Sequence, residues 1–371
     1  MTDADVSALT RQVLWAAFAL GIAFGAVAQR SQFCTMGAVA DIVSMGSWSR
    51  LRMWALAAGV AVLGFNGMVA LGWVRAGNSL YAGSTVTWLS AMVGGLMFGG
   101  GMVLASGCGS KTLVRVGGGS LKALVVALVM GLSGWMTMRG VTALLRTATV
   151  DEVTLEMAAG QDLPRWLAQA SGGNVQAWAL GLGLVLGGGL VVWALWVRAD
   201  RRADLWLGGL GIGGLVVLAW WLSGVHGHLA EHPQTLEEAF LGTASQRMEA
   251  LSFVAPVALG LELLVFASDA SRHLSMGVVV TLGVVLGSAA VALATGRFRW
   301  EGFADVDDLA RHLLGAVLMG VGGVTAMGCT IGQGLSGLST LSLGSLIAVA
   351  AILAGAVLAL RWQIWRLERD L

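Results

Sequence analysis

Charge is scarce in this sequence. Asp, Glu, Lys and Arg together make up 12% of its 371 residues, 22 basic against 21 acidic, where a soluble domain carries about a quarter. That shortfall excludes a soluble enzyme, because too few polar groups exist to face water. A net charge of +1, with no basic stretch interleaved with aromatics, excludes nucleic-acid binding. Cysteine is nearly missing as well: three, an odd number at wide spacings, give neither a disulfide framework nor a Cys-x-x-Cys metal site. No Walker-type phosphate loop occurs among the glycine-rich stretches, which excludes nucleotide hydrolysis by the chain itself. The segment Met1–Arg11 holds two acids before its first base, and no small-residue cleavage pattern follows, so no removable signal peptide is expected.

Apolar length is abundant. Hydrophobic residues make up 57% of the chain, mean hydropathy is +0.79, and only 3 prolines stand against 55 glycines. Glycine allows helices to approach closely in lipid and the backbone to turn within a protein-lined cavity. Apolar runs bounded by charge clusters predict nine full spans: Val13–Gln29, Met53–Trp73, Trp88–Ser106, Leu121–Leu145, Val175–Val197, Leu205–Gly224, Leu274–Thr295, Leu313–Met327 and Ser342–Trp362. Four shorter segments, Cys34–Met45, Gly109–Gly119, Leu251–Ala267 and Thr330–Thr340, are broken by Gly, Ser and Thr and read as re-entrant. The expected fold class is an all-α polytopic membrane protein.

The distribution of basic residues sets the orientation. The larger share (Arg50, Arg52, Lys111, Arg115, Lys122, Arg198, Arg201, Arg202, and Arg297 onward to Arg369) falls on one side. The smaller share (Arg11, Arg75, Arg139, Arg146, Arg165, Arg247, Arg272) falls on the other. The C-terminus is therefore expected inside, the N-terminus outside, and the acidic segments Thr149–Gly172 and His226–Ala244 outside. Arg30 is left over and is placed in the interior.

Internal similarity suggests two copies of one unit. Gln29-Arg30 recurs as Gln246-Arg247, Gly107-Cys108 as Gly328-Cys329, and Gly119-Ser120-Leu121 as Gly344-Ser345-Leu346. Repeat 1 covers about 10–146 and repeat 2 about 205–362. An odd connecting span at 175–197 inverts one copy against the other, an arrangement of transporters with a midplane site. The whole chain, 1–371, then forms one transmembrane domain.

All three cysteines fall in the broken segments: Gln29-Arg30-Ser31-Gln32-Phe33-Cys34-Thr35-Met36-Gly37-Ala38, Ala105-Ser106-Gly107-Cys108-Gly109-Ser110, and Gly328-Cys329-Thr330-Ile331-Gly332-Gln333-Gly334-Leu335-Ser336-Gly337. From about Gln29 to Gly337 these motifs resemble the YeeE/YedE family of sulfur-compound membrane transporters, whose characterised members take up thiosulfate. The resemblance implies an hourglass-shaped inner-membrane protein, a central constriction lined by Cys34, Cys108 and Cys329, and no cofactor. No fused TusA-like sulfur-carrier domain is expected, and such a partner at the cytoplasmic face would then be a separate protein. Cargo could equally be a related sulfur or selenium compound. A membrane sulfurtransferase forming a cysteine persulfide is the alternative class.

The residues themselves suit this chemistry. A thiol is a weak, polarizable hydrogen-bonding group matched to a soft sulfur. The oxygens of an anion can be met by backbone N–H groups at half-helix N-termini after Gly109 and Thr330, with Gly107 and Gly328 allowing the turns. Thr330 and Gln333 add neutral donors, as do Ser336, Ser106 and Ser110, whose bland reading is backbone satisfaction. Arg30 could attract the anion, but a structural tie through Asp41 is favoured for it. Asp41 and Glu262 read as partners of Arg30 and Arg247, or as helix caps, rather than proton carriers. Lys111 and Arg115 follow the inside charge bias. His226, His228 and His232 read as a solvated loop.

Overall fold

The computed structural model describes residues 3–197, 203–269 and 272–369; Arg198, Arg201 and Arg202, counted above toward orientation, lie outside the described residues. The first half runs α1 (Asp3–Ser31), α2 (Thr35–Met45), α3 (Ser49–Ala70), β1 (Thr85–Val86), α4 (Trp88–Leu104), α5 (Gly109–Gly117), α6 (Leu121–Arg139) and α7 (Val141–Thr147). A bridging region follows: β2 (Leu155–Glu156), α8 (Leu163–Ser171), and α9 (Val175–Leu182) joined through a π turn at Gly183–Gly187 to α10 (Gly188–Leu195). The second half runs α11 (Ala203–Trp221), β3 (His228–Leu229), β4 (Ala239–Phe240), α12 (Val254–Val265), α13 (Met276–Ala294), α14 (Val306–Thr325), a π turn at Gly332–Gly337, and α15 (Leu343–Arg369). The strands form two small antiparallel hairpin ladders, β1 with β2 and β3 with β4.

Eight helical stretches among the described residues are long and apolar enough to cross a membrane, so the chain is an all-α polytopic membrane protein. The expected span Leu313–Met327 lies within α14. This helix of 20 residues opens with Asp307 and Asp308 and carries Arg311 and His312 one turn on, so its start is polar while its apolar part packs between α4 and α6. Span Leu121–Leu145 is cut short: α6 ends at Arg139 and Gly140 breaks the helix before α7.

Glycine decides how closely the helices meet. On α4, Gly94 and Gly101 face α14 while Gly95 and Gly99 face α15; a Cβ on Gly99 would overlap the Ile352 carbonyl. Gly21 and Gly25 of α1 similarly meet the backbone of α13 at Val280 and Val284. Backbones in such contact gain dispersion energy that lipid tails cannot supply. The packing is reciprocal between halves: α1 lies on α13 and α11 on α3, α4 on α15 and α14 on α6. The α9–α10 unit packs on α3.

One sequence match, Gly107-Cys108 with Gly328-Cys329, holds a common local geometry and two are corrected. Ser106 and Met327 both adopt left-handed backbone, φ 55° and 56°. The turns around them share hydrogen bonds, Gly107 N–H to Met102 O (2.9 Å) and Gly328 N–H to Gly323 O (2.8 Å). Ser120, however, corresponds to Ser342 rather than Ser345. Each of Ser120 and Ser342 follows a left-handed residue, Gly119 (φ 96°) and Leu341 (φ 54°), and each hydroxyl accepts the N–H three residues on, from Ala123 (3.4 Å) and Ser345 (3.3 Å). Arg30 and Arg247 are not equivalent either: Arg30 closes the last turn of α1, whereas Arg247 lies in the loop between β4 and α12.

Candidate functional site

Each cysteine stands at the start of a short helical piece, and two of the thiols, those of Cys34 and Cys329, accept the N–H three residues on. Cys34 caps α2 and its Sγ accepts from Gly37 N at 3.3 Å. Cys329 Sγ accepts from Gly332 N at 3.4 Å. Cys108 precedes α5 and bonds Ser110 Oγ at 3.3 Å. Free N–H groups at a helix start carry partial positive charge, so three such ends lie beside sulfur.

These sulfurs are close in space. Cys34 and Cys108 are neighbours, and Thr330, next to Cys329, adjoins Cys108. Cys329 senses Cys108 electrostatically. Cys108 and Cys329 are fully buried and Cys34 is partly so. The junction is where α2, α5 and the segment after α14 meet.

Access differs at the two ends. Ser106, at the turn before Cys108, lines a cavity together with Asp307 and Arg311 from the first turns of α14. Met327, at the equivalent turn before Cys329, lies beyond the last turn of that same helix. There it lines a cavity of about 200 Å³ with Tyr81, Gln161, Arg247 and Gln333. The two matched turns thus open at opposite ends of α14. Lys111 Nζ donates to Gln32 Oε1 at 2.8 Å, and Arg50 packs over Gly37, so cations flank the Cys34 segment.

The remaining expected residues are placed as follows. Gly328 is tight, with a Cβ 3.1 Å from Gln333; Gly107 and Gly109 would leave a Cβ at ordinary contact distances, 3.4 and 3.6 Å. Gln333 donates Nε2 to Ala326 O at 2.6 Å and lines the 200 Å³ cavity. Ser336 bonds Leu251 O at 2.7 Å. Arg30 is not interior: its side chain is 56% exposed and faces Asp204 at 3.6 Å. Asp41 pairs with Arg50 at 3.2 Å, and Glu262 with Arg272 at 2.8 Å and Arg139 at 3.5 Å. The acids are therefore ion-pair partners, but of arginines other than those expected. His228 bonds Glu238 at 2.7 Å and His226 stacks on Trp221. Sequence reasoning missed Thr35, which adjoins Cys34 in sequence, and Trp54, whose ring packs on Gly334 and which nothing local marks.

Glycine-packed helices, broken segments meeting in the interior, and cavities approaching that point from opposite ends define a membrane transporter rather than an enzyme. Residues 30–358 match the model of the sulphur transport family, and the chain belongs to that family. It is similar to the thiosulfate transporter TsuA of Escherichia coli (strain K12), 27% identical over 337 residues that cover 85% of this chain and 84% of the relative. It is also similar to the thiosulfate transporter TsuA of Spirochaeta thermophila, 23% identical over 368 residues, covering 92% and 97%.

Proposed function

We propose that this protein takes up thiosulfate through the bacterial inner membrane, along a path that narrows at Cys34, Cys108 and Cys329. The observation that carries the reading is the meeting of three thiols, each at a helix start, between turns that open at opposite ends of α14. Thiosulfate has a soft terminal sulfur and hard oxygens. Polarizable thiols contact the former, and oriented N–H groups with neutral hydroxyls replace water around the latter. Neutral groups meet the anion at the thiols while the cations Lys111 and Arg50 only flank the Cys34 segment, so binding stays weak enough for release, as conduction requires. The names of both relatives support the cargo.

In this reading the chain is one transport domain of two inverted repeats, about 10–146 and 205–362, joined by the helix at 175–197. The N-terminus is periplasmic and the C-terminus cytoplasmic. A separate sulfur carrier of the TusA kind receives cargo at the cytoplasmic face; co-purification with such a carrier tests that part. Uptake of labelled thiosulfate into proteoliposomes, by wild type and by Cys34→Ala, Cys108→Ala and Cys329→Ala, tests the whole. At least two variants lose transport while folding normally; three active variants would contradict it.

A further inference from the structure

Carboxylates drawn into this fold stand beside cations. Among the described residues, Asp41 faces Arg50, Asp162 faces Arg165, Glu262 faces Arg139 and Arg272, and Asp308 faces Lys122. Glu249, in the loop between β4 and α12, departs from that pattern: it is partly buried, and no cation offsets its charge. Its carboxylate accepts instead from a neutral group, the Ser245 N–H at 2.7 Å. Glu249 lines a cavity of about 290 Å³ whose other walls are mostly apolar, among them Leu80, Pro256, Leu259 and Val324. Apolar walls without a counter-ion disfavour the ionised form. Burial accordingly raises the carboxyl above the ordinary glutamate range, against the bonds from Ser245 and Ala244.

This cavity adjoins the anion path. Met327 and Gly328, which lead into Cys329, form part of its wall, and Tyr81 and Met327 line the 200 Å³ cavity as well. Tyr81 lies near Glu249 and Cys329 alike. Its hydroxyl and Ser252 Oγ both stand beside Gly332, whose N–H bonds the Cys329 thiol. The other charged groups around Glu249 are Arg146 of α7, held by Asp151 at 3.3 Å, and Arg247 two residues back, which lines the neighbouring cavity. Helices α12, α13 and α14 contribute only uncharged residues to the wall.

We propose that Glu249 is a proton carrier that couples entry of the anion to entry of a proton. Its carboxyl takes a proton from the outer water as the anion reaches the Cys329 segment, and gives that proton up to the inside as the anion leaves. Thiosulfate carries two negative charges, and an inside-negative potential opposes each of them; a proton carried along cancels one. The ion-paired acids cannot serve, because their arginines and lysine hold them ionised.

The inference rests on the thiosulfate reading, and the experiment separates the two. Proteoliposomes holding wild type, Glu249→Gln or Glu249→Asp, with a trapped pH-sensitive dye and a clamped membrane potential, receive labelled thiosulfate outside. Uptake by wild type is expected to acidify the lumen, and a protonophore to remove the signal. Glu249→Gln still accepts the Ser245 N–H but has no carboxyl proton to give; it is expected to lose the acidification while exchanging labelled for unlabelled thiosulfate. Glu249→Asp keeps the acidification with a shifted pH dependence. Entry of thiosulfate into wild-type vesicles without acidification, or undiminished acidification in Glu249→Gln, overturns the inference and leaves the glutamate a cap of its loop. If Glu249→Gln fails to fold, an unshifted pH dependence in Glu249→Asp overturns it. Wild type that carries no thiosulfate would instead overturn the transport reading.

Discussion

Ser106 and Met327 share one backbone conformation, two residues ahead of Cys108 and Cys329, yet they open at opposite ends of α14. A left-handed conformation in a residue with a Cβ costs about 1–2 kcal/mol, so its occurrence at both turns marks them as copies held by the fold around them. Each turn reverses the chain just before a cysteine and aims the following helix start at the junction. Met327→Gly is expected to leave the fold intact and raise stability by about 0.5–1 kcal/mol, and Met327→Val to lower it by a similar or larger amount. Thermal unfolding in detergent measures both; equal stabilities would deny that the turn is strained.

Helix contact at α4 gives a sharper contrast. A side chain on Gly99 must displace the backbone of α15, while Gly100 has nothing within 4 Å. Gly99→Ala should destabilise by about 1–3 kcal/mol as the helices part. Gly100→Ala should be neutral or stabilising by up to about 1 kcal/mol. Unfolding midpoints of the pair check this directly.

Glu262 is nearly buried between two arginines, its side chain 3% exposed. Removing its charge strands Arg139 and Arg272 beside a neutral group, and Glu262→Gln should cost about 2–4 kcal/mol. Loss of folded protein on size exclusion, with transport per folded molecule preserved, distinguishes this structural role from proton coupling.

Glu301 ties the loop after α13 to the start of α6, accepting from Arg115 (3.4 Å) and approaching Lys122 (3.4 Å). Burial opposes its ionisation, but Arg115 and Lys122 prevail and hold its carboxyl below the ordinary glutamate range. A depressed carboxylate stabilises the fold fully above its unfolded pKa, and that contribution disappears as pH falls through the folded value. Glu301→Gln should therefore narrow the stability gap to wild type as pH drops through the acid range, which melting curves between pH 7 and the acid limit record. An unchanged gap would contradict the ion pair.

Spans were legible because hydropathy adds up along a chain whatever its helices touch: the expected Val175–Val197 and Leu274–Thr295 nearly coincide with α9–α10 and α13. The cysteine segments were legible because glycine and hydroxyl residues interrupt apolar runs there. Ion-pair partners were not, since Asp41 and Glu262 choose arginines brought near by tertiary packing. Repeat register slipped at Ser342 because the π turn at Gly332–Gly337 replaces the α-helix found in the first copy. Trp54 carries no local mark; only the fold brings its ring against Gly334 of the third cysteine segment. Helix α7 was absorbed into the expected span Leu121–Leu145, and α8, in the stretch Thr149–Gly172 read only as acidic and outer, lacks the apolar length that marks a span.

The claim on which the account turns is that the soft end of the anion meets the cysteines. Crystals of the protein soaked in selenosulfate, whose terminal selenium replaces the terminal sulfur of thiosulfate, locate that atom by anomalous scattering. The account predicts a selenium peak in van der Waals contact with Cys108 Sγ, about 4 Å away, between Cys34 and Cys329. A peak confined to the loops, or anywhere on the lipid-facing helices, would contradict it.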